Sequence, residues 1–228
     1  EIFIRDVDLL IEEGYYGLNI TVPLKEDAYK YCDNTSDVAR TLKAVNTLII
    51  NEDGVYGDNT DPIGFENSIA NRGLNNKLCL VLGAGGSARA VVYALTHMKC
   101  EIGIYNRTRE NAESLCSDLG VKATVLTEKT ISEFIKSSHL VVNTTSLGQK
   151  EGEENNLIDF NSLNSSAHVY DLIYNPSKTT FLSHAEKSGC TVQNGLEMLI
   201  HQAAQSFNVW HDIMPEIDEE LMSVLGAN

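Results

Sequence analysis

Two stretches of the 228-residue chain carry residues suited to holding an anion. In Leu80-Val81-Leu82-Gly83-Ala84-Gly85-Gly86-Ser87-Ala88-Arg89 an apolar run enters a GxGxxA turn and then a helical pattern. Lone glycine spacing is weak, but a strand feeding a turn that opens a helix is the context the chemistry needs. There Gly83 permits the tight turn, Gly85 lets the backbone approach a pyrophosphate, and Ala88 allows close helix packing, while unpaired helix N–H groups meet the anion. The plainer account is a tight strand-to-helix turn with no ligand. An NAD site would carry Asp or Glu at the end of the next strand, roughly 20 residues on, to bond the ribose 2′-hydroxyl. This chain has Tyr105-Asn106-Arg107-Thr108-Arg109 there. Asn106 removes the carboxylate that repels a 2′-phosphate, and Arg107 can pair with one, which points to NADP. The alternative is two solvated arginines at a helix start.

Two further positions could move a proton. In Gly17-Leu18-Asn19-Ile20-Thr21-Val22-Pro23-Leu24-Lys25-Glu26, Pro23 can open a helix with Lys25 as a surface lysine in its first turn, and chemistry alone favours that account. A lysine there opposes the helix dipole, however, and is slightly costly unless something uses it. In Asp58-Asn59-Thr60-Asp61-Pro62, Asp61 reads as a helix N-cap with proline at the first helical position. A carboxylate at the end of a small unit, just before a nucleotide domain, would also face the cleft between them. Both roles can hold at once.

The elements that must position these residues are legible in the hydrophobic pattern. From residue 77 onward, apolar runs at Leu78 to Leu82, Glu101 to Tyr105, Leu140 to Asn143, Val169 to Ile173 and Cys190 to Val192 alternate with helical patterns at Ala88 to Met98, Arg109 to Leu119 and Thr180 to Ser188. That alternation predicts a parallel α/β sheet. The first 65 residues predict a smaller α/β unit: helix Val7 to Glu13, a strand near Leu18 to Val22, helix Glu26 to Tyr31, and a hairpin of Lys43 to Ile50 with Gly54 to Asn59 around an Asp-Gly turn. After Gly195 a last helix carries Met198, Leu199, Ala203, Phe207 and Trp210 as its apolar stripe, expected to pack back on the first unit.

Composition narrows the classes. A net charge of −15 argues against nucleic acid or an anionic membrane as the main partner. Five scattered cysteines without a CxxC pair suggest neither a disulfide framework nor zinc, and no HxxxH pair occurs among the histidines, so no metal is expected. No apolar run approaches the roughly 18 to 20 residues needed to cross a bilayer. A cytoplasmic location is expected.

Across nearly its whole length the chain resembles the shikimate dehydrogenase family. The resemblance rests on Asn19-Ile20-Thr21-Val22-Pro23-Leu24-Lys25, Ala44-Val45-Asn46-Thr47, Gly57-Asp58-Asn59-Thr60-Asp61, the glycine turn, Asn106-Arg107-Thr108, Asn143-Thr144-Thr145-Ser146-Leu147-Gly148, Tyr170-Asp171-Leu172-Ile173-Tyr174-Asn175-Pro176, and Gly195 to Ala204, in that order. It implies reversible, NADP-dependent reduction of 3-dehydroshikimate to shikimate, with Lys25 and Asp61 as the catalytic pair. It further implies substrate contacts from Thr21, Asn46, Asp61, Tyr174 and Gln202. Cofactor contacts are implied for Gly83, Ala84, Gly85, Gly86, Ser87, Asn106, Arg107, Thr108, Arg109, Asn111, Leu172 and Gly195. Asn111 stands where many members carry a basic residue, so 2′-phosphate binding would lean on Arg107 and Arg109. The family's opening strand, with two serines that hold the substrate carboxylate, has no counterpart ahead of Glu1.

The expected architecture is therefore a doubly wound Rossmann-type NADP-binding domain at 67–195. It is joined to a smaller, N-terminally incomplete α/β catalytic domain at 1–66, with helices at 196–228 packing back on the latter. Expected partners are small molecules only, in a monomer or homodimer. Competing readings are a quinate/shikimate dehydrogenase, a non-catalytic ligand-binding homologue, or an inactive fragment.

Overall fold

The computed structural model describes residues 2–150 and 153–226. The chain forms two compact units, Glu1–Gly64 with Ile200–Asn228, and Phe65–Leu199.

In the first unit the chain runs through α1 (Ile2–Glu12), β1 (Gly17–Asn19), α2 (Lys25–Tyr31), β2 (Asn34–Thr35), α3 (Asp37–Leu42), β3 (Thr47–Asn51) and β4 (Gly54–Asp58). The strands form one sheet in the order β1-β3-β4-β2. The hairpin is tight, with Asn51 opposite Gly54 and Gly54 at φ +116°, a conformation that suits glycine. Val7, Ala28, Ala39, Val45 and Leu48 make the core. Helix α3 was not visible in the hydrophobic pattern, because it has six residues and is set by its cap: Ser36 Oγ accepts from Ala39 N at 3.1 Å.

Pro23 does not open α2 as the sequence suggests. Residues 21–24 form a turn closed by Leu24 N–H on Thr21 O at 2.9 Å, with the Val22–Pro23 peptide cis. A cis proline belongs at the third position of such a turn. The helix begins two residues after Pro23, at Lys25.

Helix α4 (Asp61–Ser68) carries the chain into the second unit. There follow β5 (Leu78–Leu82), α5 (Gly86–His97), β6 (Glu101–Tyr105), α6 (Arg109–Leu119), β7 (Thr124–Val125), α7 (Glu128–Lys136), β8 (Leu140–Asn143), β9 (His168–Asp171), α8 (Thr180–Lys187) and β10 (Thr191–Gln193). All six strands are parallel, in the order β10-β9-β8-β5-β6-β7. Successive strand residues feed two separate cores. Cys79, Val81, Ile104, Leu140, Val142 and Tyr170 pack with α5 and α6, whereas Leu80, Leu82, Tyr105, Val141 and Val169 pack with α7 and α8. Burial on both faces explains why these strands read as continuous apolar runs. The order reverses between β5 and β8, which makes their carboxyl ends the switch point where ligands bind in such sheets. This is a doubly wound, Rossmann-type fold.

Helix α9 (Leu196–His211) returns the chain to the first unit, and α10 (Glu219–Val224) follows, capped by Asp218. The stripe expected for α9 holds at Met198 and Trp210 and fails at its other three positions. Leu199, Ala203 and Phe207 are exposed, whereas Ile200, Ala204 and Ser206 are buried. The buried face is set by polar partners that hydrophobicity alone undervalues: Ser206 Oγ lies 2.8 Å from Thr47 Oγ1, and Trp210 Nε1 donates to Leu48 O at 2.9 Å. Trp210 also lies where a side chain on Gly17 would stand.

Asp171 ends β9 fully buried, accepting from Thr179 Oγ1 (2.6 Å), Asn143 Nδ2 (3.0 Å) and Ile173 N (3.1 Å). Burial outweighs those bonds and pushes its carboxyl up to about 6. A raised acid pKa means that the native state holds the proton over a range where the unfolded chain releases it. This contribution to stability is complete near pH 4 and is lost as the pH rises through 6. In Asp171→Asn the Thr179 hydroxyl can turn to accept from the new amide. Urea titrations between pH 4 and pH 7 should show wild type losing roughly 3 kcal/mol relative to Asp171→Asn. A pH-independent difference would remove Asp171 as the cause.

Candidate active site

A polar cluster in the first unit gathers side chains that are far apart in sequence. Lys25 is the first residue of α2, and Asp61 the first of α4. Lys25 Nζ lies 2.5 Å from Asp61 Oδ2, with the side chains 20% and 10% exposed. The other carboxylate oxygen accepts from Asn46 Nδ2 at 3.0 Å. Asn46, on the approach to β3 and 2% exposed, also donates to Thr60 Oγ1 (2.9 Å) and Gln202 Oε1 (3.2 Å), and accepts from Thr60 N (2.9 Å). Asn59 Oδ1 accepts from Asp61 N at 3.1 Å, and Asn19 Nδ2 donates to Asn46 O at 3.2 Å and to Ser206 Oγ at 3.1 Å. An ammonium held by a positioned carboxylate, with amides and hydroxyls around it, can deliver a proton to an oxygen and recover it.

Asp61 is thus not the residue that precedes α4. It lies inside the helix, and its two oxygens serve Lys25 and Asn46.

In the second unit the turn after β5 sits at the switch point. Gly83 has φ +112° and donates its N–H to Tyr105 O at 2.8 Å, and a side chain there would run into Thr144 Oγ1. Gly85 and Gly86 are different: nothing lies within 4 Å of where their Cβ atoms would stand. Ala84 and Ser87 are half-buried beside them. The glycine turn therefore has one glycine required by packing and two that leave open space at the start of a 12-residue helix. At the end of β6, Asn106 Nδ2 donates to Thr108 O at 2.7 Å, shaping the turn into α6. Arg109 Nε pairs with Glu113 at 2.7 Å. Arg107 is exposed and has no ion pair among the described residues. An open glycine cradle at a helix N-terminus, with an uncommitted guanidinium nearby, fits the diphosphate and the 2′-phosphate of NADP.

Of the remaining implied residues, Gln202 joins the cluster in the first unit, whereas Thr21 is exposed and is engaged there through its backbone oxygen. Tyr174 belongs to the second unit and is 49% exposed. Leu172 and Gly195 meet directly, since a side chain on Gly195 would overlap Leu172 O. Asn111 is exposed on α6 and is not among the residues lining the depression that holds Asn106, Arg107 and Arg109. The sequence reading missed Ser206 as part of the cluster. Its spacing of four residues from Gln202 on one helix was the available signal.

A doubly wound dinucleotide-binding unit and a smaller unit carrying a lysine–carboxylate pair define an oxidoreductase-like class of protein. Comparison with known families makes this specific. Residues 3–48 match the shikimate dehydrogenase substrate binding domain, 66–172 match shikimate / quinate 5-dehydrogenase, and 195–219 match the shikimate 5'-dehydrogenase C-terminal domain. The chain is 37% identical to the shikimate dehydrogenase (NADP(+)) of Caldicellulosiruptor bescii, over 94% of this chain and 76% of that protein. Among solved structures, shikimate dehydrogenase of Aquifex aeolicus superposes with a TM-score of 0.88 at 30% identity, covering 98% of this chain and 82% of the other. The Thermus thermophilus enzyme in complex with NADP(H) and shikimate gives 0.81 at 33% identity, with 94% and 79% covered. Quinate dehydrogenase from Corynebacterium glutamicum, in complex with NAD, gives 0.86 at 30%, with 98% and 82% covered. The chain belongs to the shikimate dehydrogenase family.

The geometry assigns Asn46 a cost that its surroundings set. Asn46→Ala strands the Thr60 N–H and removes a donor from Asp61, so it should lower unfolding free energy by about 2–3 kcal/mol in urea titrations. A loss no greater than that of an ordinary surface alanine variant would show that the cluster is not held by this amide.

Proposed function

We propose that this protein catalyses the reversible, NADP-dependent reduction of 3-dehydroshikimate to shikimate. The observation that carries the reading is the Lys25–Asp61 pair at 2.5 Å, set among Asn46, Thr60 and Gln202 in a chain whose relatives are named for that reaction. NADP, when bound, supplies the hydride chemistry. The remaining work falls to the chain itself. A ketone oxygen gaining negative charge as it is reduced needs a proton at the same moment, and Lys25 Nζ is the donor. In the reverse direction Lys25 takes the hydroxyl proton. Asp61 fixes the ammonium in place, and Asn46 fixes Asp61, so neither group has to be oriented during the reaction.

Thr21, Asn46, Asp61, Tyr174 and Gln202 are the substrate contacts in this reading. Gly83 to Ser87, Asn106 to Arg109, Leu172 and Gly195 form the cofactor side. We assign the substrate and catalytic role to residues 1–66 with 196–228, and the cofactor role to 67–195. No helix among the described residues is long and apolar enough to cross a membrane. A cytoplasmic enzyme, acting as a monomer or homodimer on small molecules, completes the reading.

NADPH oxidation followed with 3-dehydroshikimate, and in parallel with 3-dehydroquinate, tests the assignment. Turnover with the first and little with the second is expected; NADPH binding without turnover on either would sink it. Lys25→Ala should lower turnover by roughly 10²- to 10⁴-fold, while its cost in stability stays near 1–3 kcal/mol. If activity and melting temperature fall together and activity returns at lower temperature, the lysine is structural. Gly85→Ala meets no clash and no strained φ, so its melting temperature should match wild type while NADPH binding weakens at least roughly tenfold, because the methyl group enters the anion's path. Unchanged NADPH affinity would remove Gly85 from the cofactor side.

A further inference from the structure

We propose that Lys129 is a cofactor-specificity residue, its ammonium acting with Arg107 on the 2′-phosphate of NADP. The inference rests on the NADP reading above. β6 and β7 are parallel neighbours, with Gly103 opposite Thr124 and Ile104 opposite Val125. The chain segments that leave them therefore emerge side by side at the same edge of the sheet. Between them lies a depression of about 440 Å³ whose lining includes Asn106, Arg107, Arg109, Glu128 and Lys129.

Each segment begins a helix, and each helix places a cation in its first turn: Arg109 on α6 and Lys129 on α7. A helix N-terminus disfavours positive charge; Glu110 and Glu128 in the same first turns offset part of that cost, and a bound anion facing the depression offsets more. Arg109 already shares its charge with Glu113 at 2.7 Å. Arg107 and Lys129, both exposed, have no ion pair among the described residues. A phosphate monoester carries about −1.5 to −2 charges at neutral pH. Arg107 alone does not balance that charge, least of all with Glu128 in the same depression and a net −15 on the chain. Asn111 of α6 is not part of the lining, whereas Lys129 of α7 is.

Equilibrium titration with NADPH and with NADH, read by nicotinamide fluorescence, tests this independently of turnover. Wild type should prefer NADPH. Lys129→Ala should weaken NADPH binding roughly tenfold, the size of one charged hydrogen bond to phosphate, and leave NADH binding unchanged. Lys129→Arg should stay within about threefold of wild type for NADPH, because it keeps the charge. Lys136→Ala, at the other end of α7 where Lys136 pairs with Glu133 at 3.0 Å, should alter neither affinity. The proposal is overturned if Lys129→Ala leaves the NADPH preference intact, or if Lys136→Ala erodes it equally, which would indicate a general field effect. If wild type itself shows no preference for NADPH, the NADP reading fails and this inference falls with it.

Discussion

The first unit is organised around a carboxylate that has been taken most of the way out of water. Asp61, with its side chain 10% exposed, is costly unless it is paired and hydrogen bonded. Lys25 supplies the charge, and Asn46 the second oxygen's donor. Those two requirements fix much else. Lys25 must open a helix directly after the 21–24 turn, and Val45 N–H, bonded to Lys25 O at 2.9 Å, ties that helix end to the segment carrying Asn46. The amide in turn brings Thr60 and Gln202 within reach, and Ser206 bridges the same group to Thr47. Segments from four parts of the chain meet because one buried charge needs several partners.

In the second unit the constraint is an anion on an acidic protein. With a net charge of −15, the overall field repels phosphate, so attraction has to be local. The sheet provides that locality. Its parallel strands end together, each strand is followed by a helix start, and the reversal between β5 and β8 leaves a crevice that the Gly83 turn can line without side chains. Asn143 and Asp171, opposite each other at the ends of β8 and β9, brace the neighbouring loops from inside the sheet.

How much of this was legible in the sequence follows the physics of each element. The strands at Leu78–Leu82, Glu101–Tyr105 and Leu140–Asn143 were read to the residue, since burial on both faces makes an unbroken apolar run. The glycine turn was legible for the same reason that it works, because few residue types tolerate its geometry. Strands β2 and β7, of two residues each, and the short helix α3 were not, because nothing periodic fits in so few residues. The buried face of α9 was only partly legible: Trp210 was read as inward, but Ser206 does not score as apolar, and its hydroxyl partners come from segments distant in sequence. Lys129 escaped notice for another reason: its neighbours in the depression come from the adjacent strand's loop, a proximity that only the register of β6 and β7 creates.

The Lys25–Asp61 pair is poorly explained by stability. A partly buried ion pair gains little over well-packed apolar residues of the same volume, because the attraction is offset by the cost of removing both charges from water. Around it, moreover, are amides and hydroxyls that would be unsatisfied in an apolar cluster, so the arrangement carries desolvation costs at several positions at once. Its members also differ in what they could do for a ligand. Asn46 is nearly spoken for, with its amide nitrogen and oxygen both engaged, whereas Lys25 retains donors beyond the one facing Asp61 and remains 20% exposed. A group fixed on one side and open on the other is a poor way to hold a fold together. It suits the proton transfer to a ketone oxygen proposed for Lys25.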